Sequence, residues 1–307
     1  MREDRDAGAA DKVPASRSHS PGRSSLRSGT AAAAARWSSL RGVQRPPLDA
    51  DILRHAVAEQ PDLSFFSRID VVESTGSTNA DLIGAAGDPS SDRRVLVAEY
   101  QDSGRGRHER SWVSPPRAQI AMSILVRLGG IEPAVLGWLP LLTGVAVVDA
   151  VRETTGLDAN LKWPNDVLIG GRKVAGILAE VASGAGAPAV VVGVGLNVSL
   201  TEDELPVPHA ISLTLAGAEN ADRNALVLAL LRAFARHFTE WRTENWNVGA
   251  LADAYRARCA TLGADVRAEL PGGEVLTGVA TDIDGYGRLI IGGRSVSAGD
   301  VTHLRPA

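Results

Sequence analysis

Lys162-Trp163-Pro164-Asn165-Asp166, with Lys173 seven residues past the aspartate in Arg172-Lys173-Val174-Ala175-Gly176-Ile177-Leu178, is the most telling stretch of this sequence. Apolar residues surround both charged groups, and Gly170-Gly171 is a turn signal, so Leu161 to Val181 reads as short β-strands reversing at the glycine pair. Pro164 restricts the backbone of Trp163, and Asp166 opens the next strand. Ionised side chains among such strands cost free energy unless a partner meets them. Two lysines outnumber the single aspartate here, and an anionic ligand would balance them. A purely structural Lys162–Asp166 pair fits the same residues.

A second unusual run lies upstream. In Gly104-Arg105-Gly106-Arg107 two guanidinium groups alternate with glycines that let the backbone move and approach a ligand. No Gly-Lys-Ser/Thr follows it, and it is not Gly-x-Gly-x-x-Gly at a strand-to-helix turn, so any phosphate would be held by side chains. Alone, the run also fits an exposed basic loop. Ser77-Thr78-Asn79 precedes a helical stretch and reads first as an N-cap, although three polar side chains there could also hydrogen-bond a neutral polar ring, as could Gln101. Gly193-Val194-Gly195-Leu196-Asn197 reads as a strand whose glycines admit a flat ligand and whose Asn197 offers a donor and an acceptor, or else as a core strand with an exposed Asn.

Around these runs the 307 residues alternate helix and strand patterns. An amphipathic helix is expected near Ala50–Gln60, strands at Ile69–Glu73, Val95–Gln101, Ile120–Leu128 and Ala189–Val198, and helices after Thr78, over Leu136–Glu153, Asp222–Trp241 and Gly249–Cys259. From Leu262 the texture changes to short strands separated by Pro271-Gly272-Gly273, Asp284-Gly285 and Gly292-Gly293, the pattern of a small β-barrel. Residues 1–48 are rich in Arg, Ser, Ala, Gly and Pro without apolar periodicity, and are expected to be a disordered extension or an over-long start. The expected organisation is therefore an α+β chain: extension 1–48, a large domain 49–259 with a mixed β-sheet, and a C-terminal β-barrel 260–307.

Bulk properties narrow the function. The formal net charge of −4 argues against a general nucleic-acid or membrane-surface binder and makes any basic site local. Cys259 is the only cysteine, so no intramolecular disulfide forms and a cytoplasmic setting is the default. Val135–Val148 is interrupted by Gly137, Pro140 and Gly144 and reads as a buried helix, not a membrane span. The six histidines show no metal-ligand spacing, so no metal-binding residues are assigned.

Ser77-Thr78-Asn79, Gln101, Gly104 to Arg107 with Trp112, the Lys162 and Lys173 runs, and Gly193 to Asn197 resemble the motifs of biotin-protein ligases in order and approximate spacing, from about Asp70 to the C-terminus. The resemblance implies a class II synthetase-like catalytic fold followed by an SH3-like barrel. It implies ATP and biotin as substrates, Mg2+, a biotinyl-adenylate intermediate, and transfer of biotin to a lysine of biotin carboxyl carrier domains of acyl-CoA carboxylases. It assigns Lys162 to the biotin carboxylate and α-phosphate, Arg105 and Arg107 with Gly106 to a closing loop, Lys173 to a phosphate, and Asp166 to the incoming lysine. Ser77, Thr78, Asn79 and Gln101 would line the biotin head group, with Trp112 and Asn197 at the nucleotide.

Residues 1–48 lack two apolar-periodic helices, so no helix-turn-helix module, no repressor activity and no nucleic-acid or membrane partner are expected. The oligomeric expectation stays open between monomer and weak dimer. A lipoate or octanoate ligase is the nearest alternative, disfavoured by the polar residues at 77–79 and 101. A non-catalytic DNA-binding regulator using the arginine-rich tail is disfavoured because that tail lacks interleaved aromatics.

Overall fold

The computed structural model describes residues 45–182, 188–270, 272–297 and 300–303. The extension expected over residues 1–48 lies, through residue 44, outside the described residues. Its last four residues are fastened down: Arg45 pairs with Glu204 at 2.5 Å, the Leu48 amide donates to Glu99, and Arg223 donates to the Pro46 carbonyl at 2.6 Å. Glu99 and Arg223 form a buried ion pair at 2.5 Å, and removing one partner of such a pair costs about 3–5 kcal/mol. Ordered structure therefore begins before the boundary expected at residue 48.

The central sheet contains β1 (Arg68–Val72), β2 (Arg94–Ala98), β3 (Gln119–Arg127), β4 (Ala159–Lys162), β5 (Asp166–Ile169), β6 (Arg172–Ala182) and β7 (Ala189–Asn197). Its order is β1-β2-β3-β7-β6-β5-β4. The β1–β2 pair is parallel and the other pairs are antiparallel, so the sheet is mixed.

Strand alternation gives the sheet two different faces. On β3 and β7, Ile120, Met122, Ile124, Val192, Val194 and Leu196 enter the main core. That core also takes residues from α1 (Ala50–Glu59), α3 (Trp138–Thr155), α4 (Arg223–Thr243) and α5 (Gly249–Arg256). The opposite face carries Gln119, Ala121, Ser123, Gly193, Gly195 and Asn197, in registered pairs Gln119–Asn197, Ala121–Gly195 and Ser123–Gly193. Small and polar side chains leave that face open over its middle. Only its far end is roofed, by α2 (Thr78–Ala85), over a small cluster of Leu82, Leu96, Leu125 and Val191.

Side-chain caps start the helices where the sequence signals them: Asp49 for α1, Ser77 for α2 and Asp222 for α4. Gly156, in the left-handed region, ends α3. Pro133–Thr155 is, among the described residues, the one helical stretch long and apolar enough to cross a membrane, and most of it is buried inside the fold.

After Cys259 come β8 (Asp265–Glu269), β9 (Val275–Ile283), β10 (Leu289–Ile291), β11 (Arg294–Val296) and β12 (Asp300–His303), ordered β11-β10-β9-β8-β12. The pairs are antiparallel. Among the described residues β11 and β12 do not pair, so the expected barrel is an open five-stranded sheet. Val266, Ile283, Leu289 and Ile291 join the main core. Two tryptophans fasten this sheet to the large one, Trp138 donating to the Gly285 carbonyl at 2.9 Å and Trp163 to the Gly287 carbonyl at 3.0 Å.

Candidate active site

The open middle of the sheet is the floor of a cavity of about 490 Å³. Along β7 its glycines set three successive stations, Gly193, Gly195 and Asn197, about 13 Å from first to last at the rise of an extended strand. Each glycine clears room for one side chain laid on the floor. A Cβ on Gly193 would stand 2.3 Å from Asn79 Oδ1, and one on Gly195 would stand 2.4 Å from Trp112 Cε2. The sequence reading left these glycines divided between a ligand and a plain core strand, and the two close approaches show why glycine is required.

The Gly193 station is a wall of neutral polar groups. Ser123 Oγ lies 2.7 Å from Thr78 Oγ1 and 2.6 Å from Asn79 Oδ1. Gln101 Oε1 accepts from the Thr78 amide at 2.8 Å and lies 3.0 Å from its hydroxyl. Ser77 also lines the cavity while capping α2, so the cap and the lining coexist in one residue.

At the Gly195 station Trp112 lies on the floor and donates its indole N–H to Gln119 at 2.5 Å. It closes the arginine loop, because Trp112 N donates to Gly104 O at 2.8 Å and Gly106 N to Arg110 O at 2.7 Å. Gly104 is required there, since a Cβ would meet Trp112 O at 2.3 Å. The loop delivers Arg105, Arg107 and Arg110 to the cavity. Arg105 pairs with Glu180 at 3.0 Å, and Arg107 donates to Asn165 Oδ1 at 2.8 Å. At the third station Asn197 is buried, donating to Ile211 O at 3.1 Å, beside the 206–210 segment that closes this end.

Lys173 reaches the same floor through a β-bulge. β5 and β6 pair Val167 with Ala175 but Leu168 with Lys173, so β6 carries one extra residue at that point. Without it Lys173 would share a face with buried Val167 and Ala175. The bulge turns it to the face of Asp166 and Gly176 instead. Lys173 Nζ lies 2.5 Å from Asp166 Oδ1 and 5.6 Å from the centre of the Trp112 ring. Among the described residues Asp166 is the one acid lining the cavity, against Lys173, Arg105, Arg107 and Arg110.

Lys162 ends β4 directly opposite Asp166, which opens β5 and lines the cavity. The Asp166 carboxylate is met by Lys173 across β5–β6, and the Lys162 charge also acts on His303. Burial first, and that charge second, hold the His303 imidazole below its ordinary value. His303 Nε2 in turn lies 3.0 Å from Thr261 Oγ1, which accepts from the Trp163 amide at 3.0 Å. Lys162 thus stands between Asp166 on one side and the joint with the C-terminal sheet on the other. The Trp163-Pro164 bond beside it is cis.

Ser123, Gln119, Asn165, Arg110 and Glu180 escaped the sequence reading. For Ser123 and Gln119 a signal was present, since Gln119-Ile120-Ala121-Met122-Ser123 alternates small or polar residues with large apolar ones.

A mixed sheet with a glycine-cleared floor, a neutral polar wall and converging cations defines a protein that holds a small anion beside a flat ring. Residues 71–197 match the profile of the Biotin/lipoate A/B protein ligase family, and residues 261–304 match the Biotin protein ligase C terminal domain. The chain is 47% identical over 269 residues to a Biotin--[acetyl-CoA-carboxylase] ligase of Mycobacterium tuberculosis, covering 85% of this chain and 97% of that one. It is 36% identical to a protein of the same name from Paracoccus denitrificans, covering 71% and 92%. Among solved structures, the biotin protein ligase of Aquifex aeolicus in complex with biotin and ATP superposes with a TM-score of 0.67 at 25% identity, covering 78% of this chain and all of that one. The chain belongs to the biotin protein ligase family.

Proposed function

We propose that this protein is an ATP-dependent ligase that activates biotin as biotinyl-5′-AMP and transfers it to a lysine of a biotin carboxyl carrier domain of an acyl-CoA carboxylase. The observation that carries the proposal is the convergence of Lys173, Arg105, Arg107 and Arg110 on one cavity whose far wall is neutral and polar. Biotin has this polarity, a neutral ureido ring at one end and a carboxylate at the other. The ring goes to Ser123, Thr78, Asn79 and Gln101, the carboxylate to Lys162, Lys173 and Arg107, and the nucleotide across Trp112 toward Asn197.

In the first step a biotin carboxylate oxygen attacks the α-phosphorus of ATP, and the bond to the bridging oxygen breaks to release pyrophosphate. Two anions must meet, and fixed cations offset their repulsion and stabilise charge developing on phosphorus. Asp166 holds Lys173 at that point. In the second step the neutral amine of the carrier lysine attacks the carbonyl of the mixed anhydride, AMP leaves with the electron pair, and the amine gives up its proton. The arginine loop and Trp112 keep water from the anhydride until then. Magnesium bound with the triphosphate would supply further positive charge, and Asp166, the acidic residue described at the cavity, is the side chain there that could approach it.

We place catalysis in residues 49–259 and assign 260–307 to supporting the Lys162–Asn165 turn. Neither nucleic acid nor membrane enters this reading, and monomer and weak dimer both accommodate it. Exchange of labelled pyrophosphate into ATP tests it: exchange that depends on biotin supports it, and exchange that depends on lipoate and ignores biotin overturns it.

A further inference from the structure

Resting on the biotin reading of the cavity, we propose that Glu180 is a positioning residue that sets the hydrogen-bond direction of the head-group wall through Asn79. Glu180 lies one step along β6 beyond Leu178, outside the residues that line the cavity. Its Oε2 accepts from Asn79 Nδ2 at 2.7 Å and from Arg105 Nη2 at 3.0 Å. Asn79 is 4% exposed, and its nitrogen also donates to Leu178 O at 3.1 Å.

An ionised carboxylate only accepts, so it forces the amide nitrogen of Asn79 toward β6 and the oxygen toward Ser123. Asn79 Oδ1 then demands the single hydroxyl proton of Ser123, which is completely buried and lies 2.6 Å away. Ser123 Oγ is left to accept, and the Thr78 hydroxyl donates either to it or to Gln101 Oε1. Gln101 Oε1 is already engaged by the Thr78 amide, so its Nε2 faces the Gly104 side as a donor. The Glu180 carboxylate, with the Leu178 carbonyl beside it, thereby fixes which wall groups give protons and which receive them. A wall of amides and hydroxyls without such an anchor could flip as a unit and present the reverse pattern to a ureido ring.

The same oxygen ties the arginine loop to this wall through Arg105, so head-group order and loop position share one anchor. Glu180→Ala removes the acceptor and leaves a buried Asn79 N–H unpartnered. With that oxygen gone the donor–acceptor direction of the wall is held less firmly, and biotin affinity falls about tenfold. Glu180→Gln keeps an acceptor oxygen for Asn79 and recovers most of that loss.

The test is titration calorimetry of biotin, without ATP, on wild type, Glu180→Ala, Glu180→Gln, Asn79→Ala and the Glu180→Ala/Asn79→Ala double variant. The expected results are weakening of about tenfold in Glu180→Ala, recovery in Glu180→Gln, and less than about a further twofold loss when Glu180→Ala is added to Asn79→Ala. Tight binding by Glu180→Ala, or full additivity in the double variant, overturns the proposal. Failure of the wild type to bind biotin would count against the biotin reading and is a separate outcome.

Discussion

Lys173→Ala tests the cation that the β6 bulge brings to the cavity floor, beside the Lys162 to which the resemblance gives the biotin carboxylate and α-phosphate. Lys173 Nζ lies on the cavity floor, 2.5 Å from Asp166 Oδ1 and 5.6 Å from the centre of the Trp112 ring. A preorganised charged donor at a reacting phosphate is worth about 2.7–4 kcal/mol, or about 10²–10³ in rate. Lys173→Ala is expected to slow biotinyl-adenylate formation by that factor. Lys162, directly opposite Asp166 across β4–β5, is the cation the resemblance assigns to the biotin carboxylate and α-phosphate, so Lys162→Ala is expected to slow the same step by a similar factor. The assay is single-turnover quench-flow with labelled ATP, counting adenylate before carrier is added. Lys173→Ala also leaves the Asp166 carboxylate without its cation, so Lys173→Ala/Asp166→Asn is measured beside it. The double variant regains thermal stability without regaining rate. A Lys173→Ala or Lys162→Ala rate within about fivefold of wild type would refute the placement.

Three further outcomes follow from the site. Gly195→Ala puts a Cβ 2.4 Å from Trp112 and lifts the indole off the floor. At an overpacking cost of about 1–3 kcal/mol, the KM for ATP rises about tenfold while biotin affinity by calorimetry moves less than about threefold, and an unchanged KM for ATP contradicts the stacking role. Asp166→Asn loosens Lys173 and removes the carboxylate nearest the reacting centre. Transfer to the carrier should fall about 10²-fold and adenylate formation only about tenfold, an order that equal losses would reverse. His303 is held below its ordinary value of 6.5 by burial and by the Lys162 charge. The unfolded chain therefore takes up a proton at a higher pH than the fold does, so this stability is complete above about pH 6.5 and is lost as pH falls toward the folded value. His303→Gln should flatten the melting temperature between about pH 5 and 7, and an unaltered profile would remove His303 from the joint.

The elements were largely legible because hydrophobic periodicity and caps agree in this chain. Asp49, Ser77 and Asp222 each stand where a helix begins, and Gly170-Gly171 forms the turn between β5 and β6. The site residues at 77–79, 101, 105–107, 112, 166, 173 and 197 do meet in one cavity. What could not be read is which way a side chain points once a strand departs from strict alternation. The bulge beside Lys173 shifts the face by one residue, and no local signal in Arg172-Lys173-Val174-Ala175 announces it. Glu180 escaped because its importance arises through Asn79, 101 positions away. The C-terminal strands were recognisable from their turns, whereas closure into a barrel depends on pairing between distant edges that turn residues do not encode.

Incubating the protein with ATP, biotin and a biotin carboxyl carrier domain, and reading the intact mass of that domain, tests the central claim most directly. The account predicts the gain of one biotinyl group on a single lysine, dependent on ATP and slowed about 10²–10³-fold in Lys173→Ala when early time points are compared. An unmodified carrier with the wild-type protein, or modification by Lys173→Ala at the wild-type rate, would contradict it.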